Sequence, residues 1–380
     1  MKFPRMSLAV VAAVATLAVA ACSTTQAPAQ TPAASPTSTV GEQDQLQALH
    51  QEAIAEGGEV TVYMGGDKPG QWDAFAAAFT QQYPDVKIHL ITDLSKNHDA
   101  RIDDQLAAHD LVADVAILQT TQDFDRWKAA GDLLQYKPAG WDQVFPNAKD
   151  ADGYWTGVFY GAFSYVVNAG RLPATASDFK GTDLLAPQYR DKLILTYPND
   201  DDAVLFGYKQ IVDAYGWDYL RQLMAQNPAF VRGTPGSTAG VASGQYLAAL
   251  ATGGDARPNG TQVISSSERF NTWVQRGAIF TQAKHPAGAK LFLSWLTSQP
   301  AQQNAIATWT WSVRQDVAPP TGLQPLASYA NTDPDAFARF MSDRNAVEQF
   351  RSQVQLYVGQ VSGPDPADPD NTLGRTPGAF

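Results

Sequence analysis

The chain has 380 residues, of which 44% are hydrophobic and 17% charged, and its formal net charge at pH 7 is −11. This length is more than one compact core usually holds. The acidic balance and the lack of any basic cluster argue against a nucleic-acid partner. The single cysteine, Cys22, excludes an intramolecular disulfide and a structural thiolate metal cluster.

The N-terminus is predicted to be a processing signal. Lys2 and Arg5 precede an apolar run over residues 7–21 that is too short for a comfortable membrane span. The run ends in Val-Ala-Ala-Cys, which resembles the lipobox of bacterial lipoproteins and implies cleavage after residue 21 and lipidation of Cys22. An ordinary secretory signal with an incidental Cys22 is the alternative. Residues 22–41, rich in Ser, Thr, Pro and Ala, are predicted to be a flexible tether.

Residues 57–118 alternate between strand and helix patterns. The β-branched and aromatic run at residues 60–64 predicts a buried strand, and it ends at Gly65-Gly66-Asp67, a turn where the backbone can come close to a ligand. The pattern continues with a helix from Trp72, a strand over residues 86–91, a helix through Ile102 and Leu106, and a strand over residues 115–118. Such units form right-handed crossovers, so the sheet is predicted to be mostly parallel with helices on its faces.

The opening of this pattern resembles a known family. Residues 57–63 are Gly-Gly-Glu-Val-Thr-Val-Tyr, followed by a helix, Tyr83-Pro84 and a second strand. This is similar to the start of extracellular solute-binding proteins of ABC importers, in particular the ferric-iron and polyamine branch. The resemblance implies an α/β fold of the type II periplasmic-binding class, with two lobes and a ligand cleft between them.

Later phrases resemble the same family in the same order. Residues 165–168 are similar to the strand that begins the crossing into the second lobe, and residues 180–195 to the segment that leads into a strand of that lobe. Residues 282–298 resemble the helix that returns to the first lobe, and residues 312–317 resemble the loop after it. The similarity covers roughly residues 57–317.

The resemblance and the composition together predict the domain organisation. The expected segments are a lipoprotein signal peptide at residues 1–21, a tether at 22–41, a discontinuous lobe one at 42–162 and 270–325, lobe two at 168–262, C-terminal helices at 326–361, and a disordered tail rich in Pro, Asp and Gly at 362–380. The helix at residues 283–298 is expected to pack on lobe one rather than only on lobe two.

Ligands of open α/β sheets bind outside the carboxyl ends of the strands, where loops and helix N-termini offer backbone amides. In this chain those loops are rich in Gly, Asp, Ser and Thr. Helix N-termini are predicted at Thr121 and Ser237. The predicted ligand-binding residues are Met64, Gly65, Gly66, Asp67, Asp93, Ser95, Thr120 and Thr121 on lobe one, Tyr160 near the crossover, and Asn199, Gly236, Ser237 and Thr238 on lobe two.

The sequence has no phosphate-binding P-loop, no Gly-x-Ser-x-Gly elbow, no His-Glu-x-x-His and no Cys/His metal spacing. The acidic run at residues 200–202 could bind a cation, although it would also cap the following helix. Iron-binding relatives of the resembled branch use neighbouring tyrosines in lobe two, whereas the tyrosines of this region are isolated. Polyamine binders use carboxylates and stacked aromatic rings, which Asp67, Asp93 and Tyr160 could supply.

We therefore expect a monomeric, non-catalytic protein without a cofactor or bound metal centre. It would be lipid-anchored on the extracytoplasmic face of the membrane, capture a small molecule or ion, and deliver it to an ABC permease driven by a separate ATPase. Two alternatives stay open: a secreted two-lobed α/β enzyme of the transferase kind, and a ligand sensor for a membrane partner.

Overall fold

The computed structural model describes residues 41–172, 179–253, 260–263 and 267–370, with only the backbone of residues 260–263. The strands are β1 Glu59–Gly65, β2 Lys87–Asp93, β3 Val115–Leu118, β4 Thr156–Asn168, β5 Ile194–Thr196, β6 Ala229–Val231, β7 Ala248–Thr252, β8 Gly260–Val263 and β9 Asn271–Ile279. The helices are α1 Glu42–Glu56, α2 Asp73–Gln82, α3 Ser95–Ala107, α4 Thr121–Ala130, α5 Asp202–Tyr215, α6 Trp217–Ala225, α7 Thr234–Ala242, α8 Pro286–Leu296, α9 Gln299–Ala301, α10 Ala336–Ser342 and α11 Arg344–Val358.

The larger sheet has the strand order β2-β1-β3-β9-β4-β7, with β8 also paired to β4. β1 pairs in parallel with β2 and β3, as the strand–helix–strand spacing predicts. β9 is antiparallel to β3 and β4, and β4 is antiparallel to β7 and β8. The α/β class is thus confirmed. This sheet is mixed rather than mostly parallel, because β9 is antiparallel to both of its neighbours. The long stretch of chain between β3 and β9 leads into β9, and not a single crossover helix of the kind that makes neighbouring strands parallel. β5 and β6 form a separate parallel pair.

The long strand β4 connects two regions of the sheet. Its residues 156–163 pair with β9, and its residues 164–168 pair with β7 and β8, with a register shift near Ser164. The sequence pattern predicts a strand over residues 154–158 and a second over residues 165–168. The segment instead stays extended throughout, because its backbone is paired along the whole length and most of its side chains are buried.

The apolar side chains form several packed clusters on either side of these strands. In one of them, Phe292 and Leu293 of α8 pack with Val60 and Met64 of β1, so the helix does not pack only on residues 170–260. In another, α10 and α11 pack against α5 and β7 through residues that include Phe337. The lobe boundaries given above remain a prediction.

The first nine residues of the segment predicted to be a disordered tail are ordered. The structure describes residues 362–370, where Asp365 and Asp368 are buried. Asp365 approaches the buried guanidinium of Arg232, with its Oδ2 atom 3.4 Å from Nη2. This buried ion pair accounts for the difference from the prediction. The predicted signal peptide, Cys22 and residues 371–380 lie outside the described residues.

No helix in the described ranges combines the length and the apolar character needed to cross a membrane.

Candidate functional site

A cavity of about 1080 Å³ lies at the carboxyl ends of β1, β2 and β3. A site at this edge follows from the geometry of parallel strands. On this side it is lined by residues of the three loops that follow the strands: Gly65, Gly66, Asp67, Ser95, Lys96, Gln119 and Thr120. The opposite wall comes from β4, β9, the segment around residues 304–311 and the N-termini of α5 and α7.

Close backbone packing holds the three loops together. A Cβ atom on Gly65 would lie 2.1 Å from Oγ of Ser95, so only glycine allows these two loops to approach this closely. Ser95 Oγ in turn accepts a hydrogen bond of 3.0 Å from the backbone N–H of Gln119. The indole Nε1 of Trp72 donates to the Gly65 carbonyl at 2.9 Å. The cavity edge is therefore a set of loops with fixed mutual positions.

Two carboxylates at the cavity lack a cationic partner among the described side chains. Asp67 accepts hydrogen bonds from Thr234 N at 2.9 Å and Thr234 Oγ1 at 2.7 Å. Asp201 caps α5 by accepting from Val204 N at 2.9 Å. Burial, followed by the charge of Asp67, raises the pKa of Asp201 to about 8, and burial also raises the pKa of Asp67. These two groups hold protons at pH values where an exposed aspartate is ionised.

The neighbouring carboxylates, by contrast, are neutralised by basic side chains. Asp200 accepts from Arg232 Nε at 2.7 Å and also contacts the ammonium of Lys96. Burial raises the pKa of Asp200, but the charges and hydrogen bonds of Lys96 and Arg232 outweigh it and hold that pKa below its usual value. Asp202 accepts from Arg351 Nη2 at 2.7 Å.

Aromatic side chains form another wall of the cavity. The ring centroids of Phe159 and Trp309 are 5.1 Å apart, and those of Trp72 and Trp309 are 6.1 Å apart. Trp309 is 40% exposed, which is unusual for a tryptophan packed against two other rings. Phe163 and Trp273, with centroids 4.7 Å apart, lie on the same lining. The cavity thus combines an acidic edge with an aromatic face.

The structure brings together six of the residues proposed from sequence. They all lie on the cavity lining and are Gly65, Gly66, Asp67, Ser95, Thr120 and Thr238. The hydroxyl of Thr120 is buried and has no hydrogen-bond partner among the described residues, whereas the hydroxyl of Thr238 donates to the Gly253 carbonyl at 3.0 Å.

Three proposed residues of the β1–β3 loops lie away from the lining. Met64 is fully buried in the apolar cluster around β1. Asp93 is buried and accepts hydrogen bonds from Leu94 N, Asn97 and Arg101, so it shapes the first turn of α3. Thr121 begins α4 but is buried against β9, where its carbonyl accepts from Arg276. α4 thus begins at Thr121, as predicted, and its N-cap residue is Thr120, which makes no side-chain cap bond.

Tyr160 faces away from the cavity. Successive side chains of a strand alternate between its two faces, and here Phe159 and Gly161 line the cavity. Tyr160 packs instead with Val144 and its hydroxyl donates to Asn147 at 3.0 Å.

The remaining proposed residues also lie off the lining. Asn199 donates to the Gly359 carbonyl at 3.0 Å and so holds the end of α11. α7 begins at Thr234, three residues before the predicted start, because Gly233 and Pro235 set its first turn. Gly236 therefore points to solvent, and Ser237 is buried with its hydroxyl donating to the Thr234 carbonyl at 2.9 Å.

Several lining residues were missed at the sequence level. They are the aromatic residues Trp72, Phe75, Phe159, Phe163, Trp273, Trp309 and Trp311, the polar residues Lys96, Gln119, Thr234 and Gln275, and the acidic residues Asp200, Asp201 and Asp202. The acidic run had been noticed, and its capping role at Asp201 is confirmed. The Trp-Thr-Trp phrase at residues 309–311 was the available signal for the aromatic wall.

Within the residues that the structure covers, no three His, Cys, Asp or Glu side chains are arranged to hold a metal ion. A large cavity with an aromatic face and a few polar groups is typical of a site for a small molecule. The geometry thus defines a candidate site for a small molecule.

The family model for bacterial extracellular solute-binding proteins matches residues 65–303. The chain belongs to this family, whose members deliver solutes to ABC importers from outside the cytoplasm. A comparison with curated proteins gave no significant match.

Solved structures of periplasmic binding proteins share the fold. AfuA from Actinobacillus pleuropneumoniae, with exogenous fructose-6-phosphate bound, is 17% identical, with a TM-score of 0.65 over 80% of this chain and 100% of that one. Iron-bound HitA from Pseudomonas aeruginosa is 15% identical, with a TM-score of 0.60 over 78% and 99%. A periplasmic thiamin-binding protein is 20% identical, with a TM-score of 0.61 over 80% and 96%. These neighbours confirm the periplasmic-binding fold.

Proposed function

We propose that the cavity between the β1–β3 loops and the N-termini of α5 and α7 is where this solute-binding protein captures its ligand. The observation that carries the proposal is the cavity of about 1080 Å³, built from loops with fixed mutual positions and an aromatic face. The proposal assigns the cavity a binding role without chemistry on the solute, in keeping with the family of binding proteins to which the chain belongs.

The cavity is closed in part by polar contacts across it. Asp67 meets Thr234 at the start of α7, and Gln119 Oε1 accepts from Ala203 N of α5 at 3.3 Å. Lys96 of α3 contacts Asp200. A solute can reach the cavity when these contacts open, and the long strands β4 and β9, which join the two regions, are the natural hinge.

The solutes named for the structural neighbours suggest candidate classes. An iron site of several protein ligands fits poorly, because the described residues include no three His, Cys, Asp or Glu side chains placed to hold a metal ion and no described tyrosine lines the cavity. A phosphorylated sugar would bring its negative charge to the edge that carries Asp67 and Asp201. A thiamin-like solute, with a positive charge on a flat ring, matches both the acidic edge and the aromatic face.

The proposal is tested by purifying the protein without denaturation and identifying the solute that it releases by mass spectrometry. That solute should raise the melting temperature of the emptied protein and be recovered unchanged after prolonged incubation. Recovery of a chemically altered product at a rate proportional to protein concentration would support the enzyme alternative instead.

We also propose that Cys22 carries a lipid that anchors the protein at the extracytoplasmic face of the membrane. The Val-Ala-Ala-Cys sequence at residues 19–22 supports this. Cys22→Ser should move the protein from the detergent phase to the aqueous phase in a detergent partitioning experiment. A variant that stays with the membrane fraction would show that attachment occurs elsewhere.

A further inference from the structure

We infer that the solute is an organic cation, in which a positively charged nitrogen is attached to a flat or apolar group. This inference rests on the proposed function and names the class of solute. It follows from the charges, the aromatic wall and the hydrogen-bonding groups of the cavity taken together.

The balance of charge on the lining favours a cation. Among the residues that the structure describes, four carboxylates line the cavity, at Asp67 and residues 200–202, against the two ammonium groups of Lys68 and Lys96. Asp200 is neutralised by Lys96 and Arg232, and Asp202 by Arg351. Asp67 and Asp201 are left with hydrogen bonds from neutral groups only, within the part of the chain that the structure describes.

These two carboxylates repel one another, and each is removed from bulk water. Burial raises the pKa of both; the charge of Asp67 raises that of Asp201 further, and the charges of Asp200 and Asp365 add to the rise at Asp67. A cation placed beside them favours their ionised forms and removes the repulsion, whereas an anion adds to it. The neutral partners Thr234 and the Val204 amide fix the positions of the two carboxyl groups without bringing a positive charge to them.

The aromatic face adjoins this acidic edge. Trp72 donates to the carbonyl of Gly65, two residues before Asp67, and its ring packs against Trp309. Trp309 is 40% exposed and lies on the cavity lining. Indole rings attract cations and also cover flat apolar groups, so the neighbouring acidic and aromatic surfaces fit the two ends of one such solute.

Thr120 provides independent evidence for a polar ligand atom. It lines the cavity, is only 1% exposed, and its hydroxyl has no partner among the described residues. A buried hydroxyl usually has a hydrogen-bond partner, and a solute N–H or O–H group would supply one. A metal ion is a poorer fit, since no three acidic, His or Cys side chains among the described residues are placed so that they could hold one.

The test uses full-length protein freed of solute and compares probes of different charge by thermal shift and calorimetric titration. The cationic probes are benzyltrimethylammonium, thiamin, choline and spermidine; glucose is neutral; citrate and fructose-6-phosphate are anionic. The variants are Asp67→Asn, Asp201→Asn and Trp309→Ala. Asp343→Asn is the matched control, because Asp343 caps α11 through Ala346 N at 3.1 Å, as Asp201 caps α5, but is exposed and does not line the cavity.

We expect a cationic solute, either a probe or the one released from the natively purified protein, to bind. Asp67→Asn and Asp201→Asn should each weaken that binding at least tenfold, Trp309→Ala should weaken it as well, and Asp343→Asn should leave it unchanged. Exclusive binding of neutral or anionic solutes would overturn the inference and leave the solute-binding function standing. Cation binding that neither Asn variant alters would also overturn it. If no solute is released and none binds, the proposed function fails as well.

Discussion

Arg232→Met is expected to lower the free energy of unfolding by about 3–5 kcal/mol, since removing the arginine of a buried ion pair leaves the charge of Asp200 to Lys96, whose side chain is 41% exposed. The side chains of Arg232 and Asp200 are each 5% exposed, and Arg232 Nη2 also lies 3.4 Å from Asp365. The variant therefore removes a guanidinium that lies next to two buried carboxylates, those of Asp200 and Asp365. Chemical denaturation at pH 7 measures the change.

The control for this variant is Arg221→Met, which removes an arginine paired with Asp218 on the surface of α6. An exposed pair of this kind contributes little, so the unfolding transition should not move. Asp200→Asn added to Arg232→Met should recover part of the lost stability, because the uncompensated charge is then reduced. Equal effects of Arg232→Met and Arg221→Met would show that the buried network does not stabilise the fold.

Asp201→Asn is expected to stabilise the solute-free protein at alkaline pH. The pKa of Asp201 is raised to about 8 in the folded protein by burial and by Asp67, and is about 4 in the unfolded chain. The proton is therefore held more tightly in the folded state, so its stabilising contribution is complete below about pH 4 and is lost as the pH rises through 8. Between these values the loss is at most about 1.4 kcal/mol per pH unit.

Asn caps a helix as well as Asp, so the substitution keeps the bond to Val204 N. The charged groups around Asp201 stay in place in the variant; they are Asp67, Asp200, Asp202, Lys96, Arg232 and Arg351. Denaturation between pH 5 and 9 should show a growing advantage of Asp201→Asn over the unaltered protein, and none for Asp343→Asn. Parallel pH profiles for Asp201→Asn and the unaltered protein would contradict the assigned environment of Asp201.

The sequence predicted cavity-lining residues correctly where those residues lie at the end of a strand or at the start of a helix. Gly65 ends the first strand, and Gly66 and Asp67 follow it. A strand–helix–strand unit places such loops at one edge of the sheet, independently of the rest of the chain. Ser95 and Thr120 follow the same rule. The mixed direction of the sheet could not be predicted in this way, because the position of β9 depends on contacts between distant segments.

The errors in the proposed site have two causes. Some predicted positions are wrong by one or a few residues along the chain, and some residues that have two roles were assigned only one of them. Tyr160 and Phe159 are adjacent, and the alternation of a strand sends one to the core and the other to the cavity. Because α7 begins at Thr234, Ser237 lies about one turn inside the helix instead of at its N-terminus. Asp201 is both a helix cap and a residue of the cavity lining. The sequence pattern indicates the capping role and gives no sign that the side chain also lies at the cavity. Trp309 follows no periodic pattern, so only the fold reveals its exposure.

The central claim, that the cavity captures the solute, is tested most directly by a crystal structure of the protein with its co-purified solute bound. The solute should lie within reach of Asp67, Thr120 and Trp309. A solute bound elsewhere, for example in the smaller pocket lined by Arg269 and Arg339, would contradict the account.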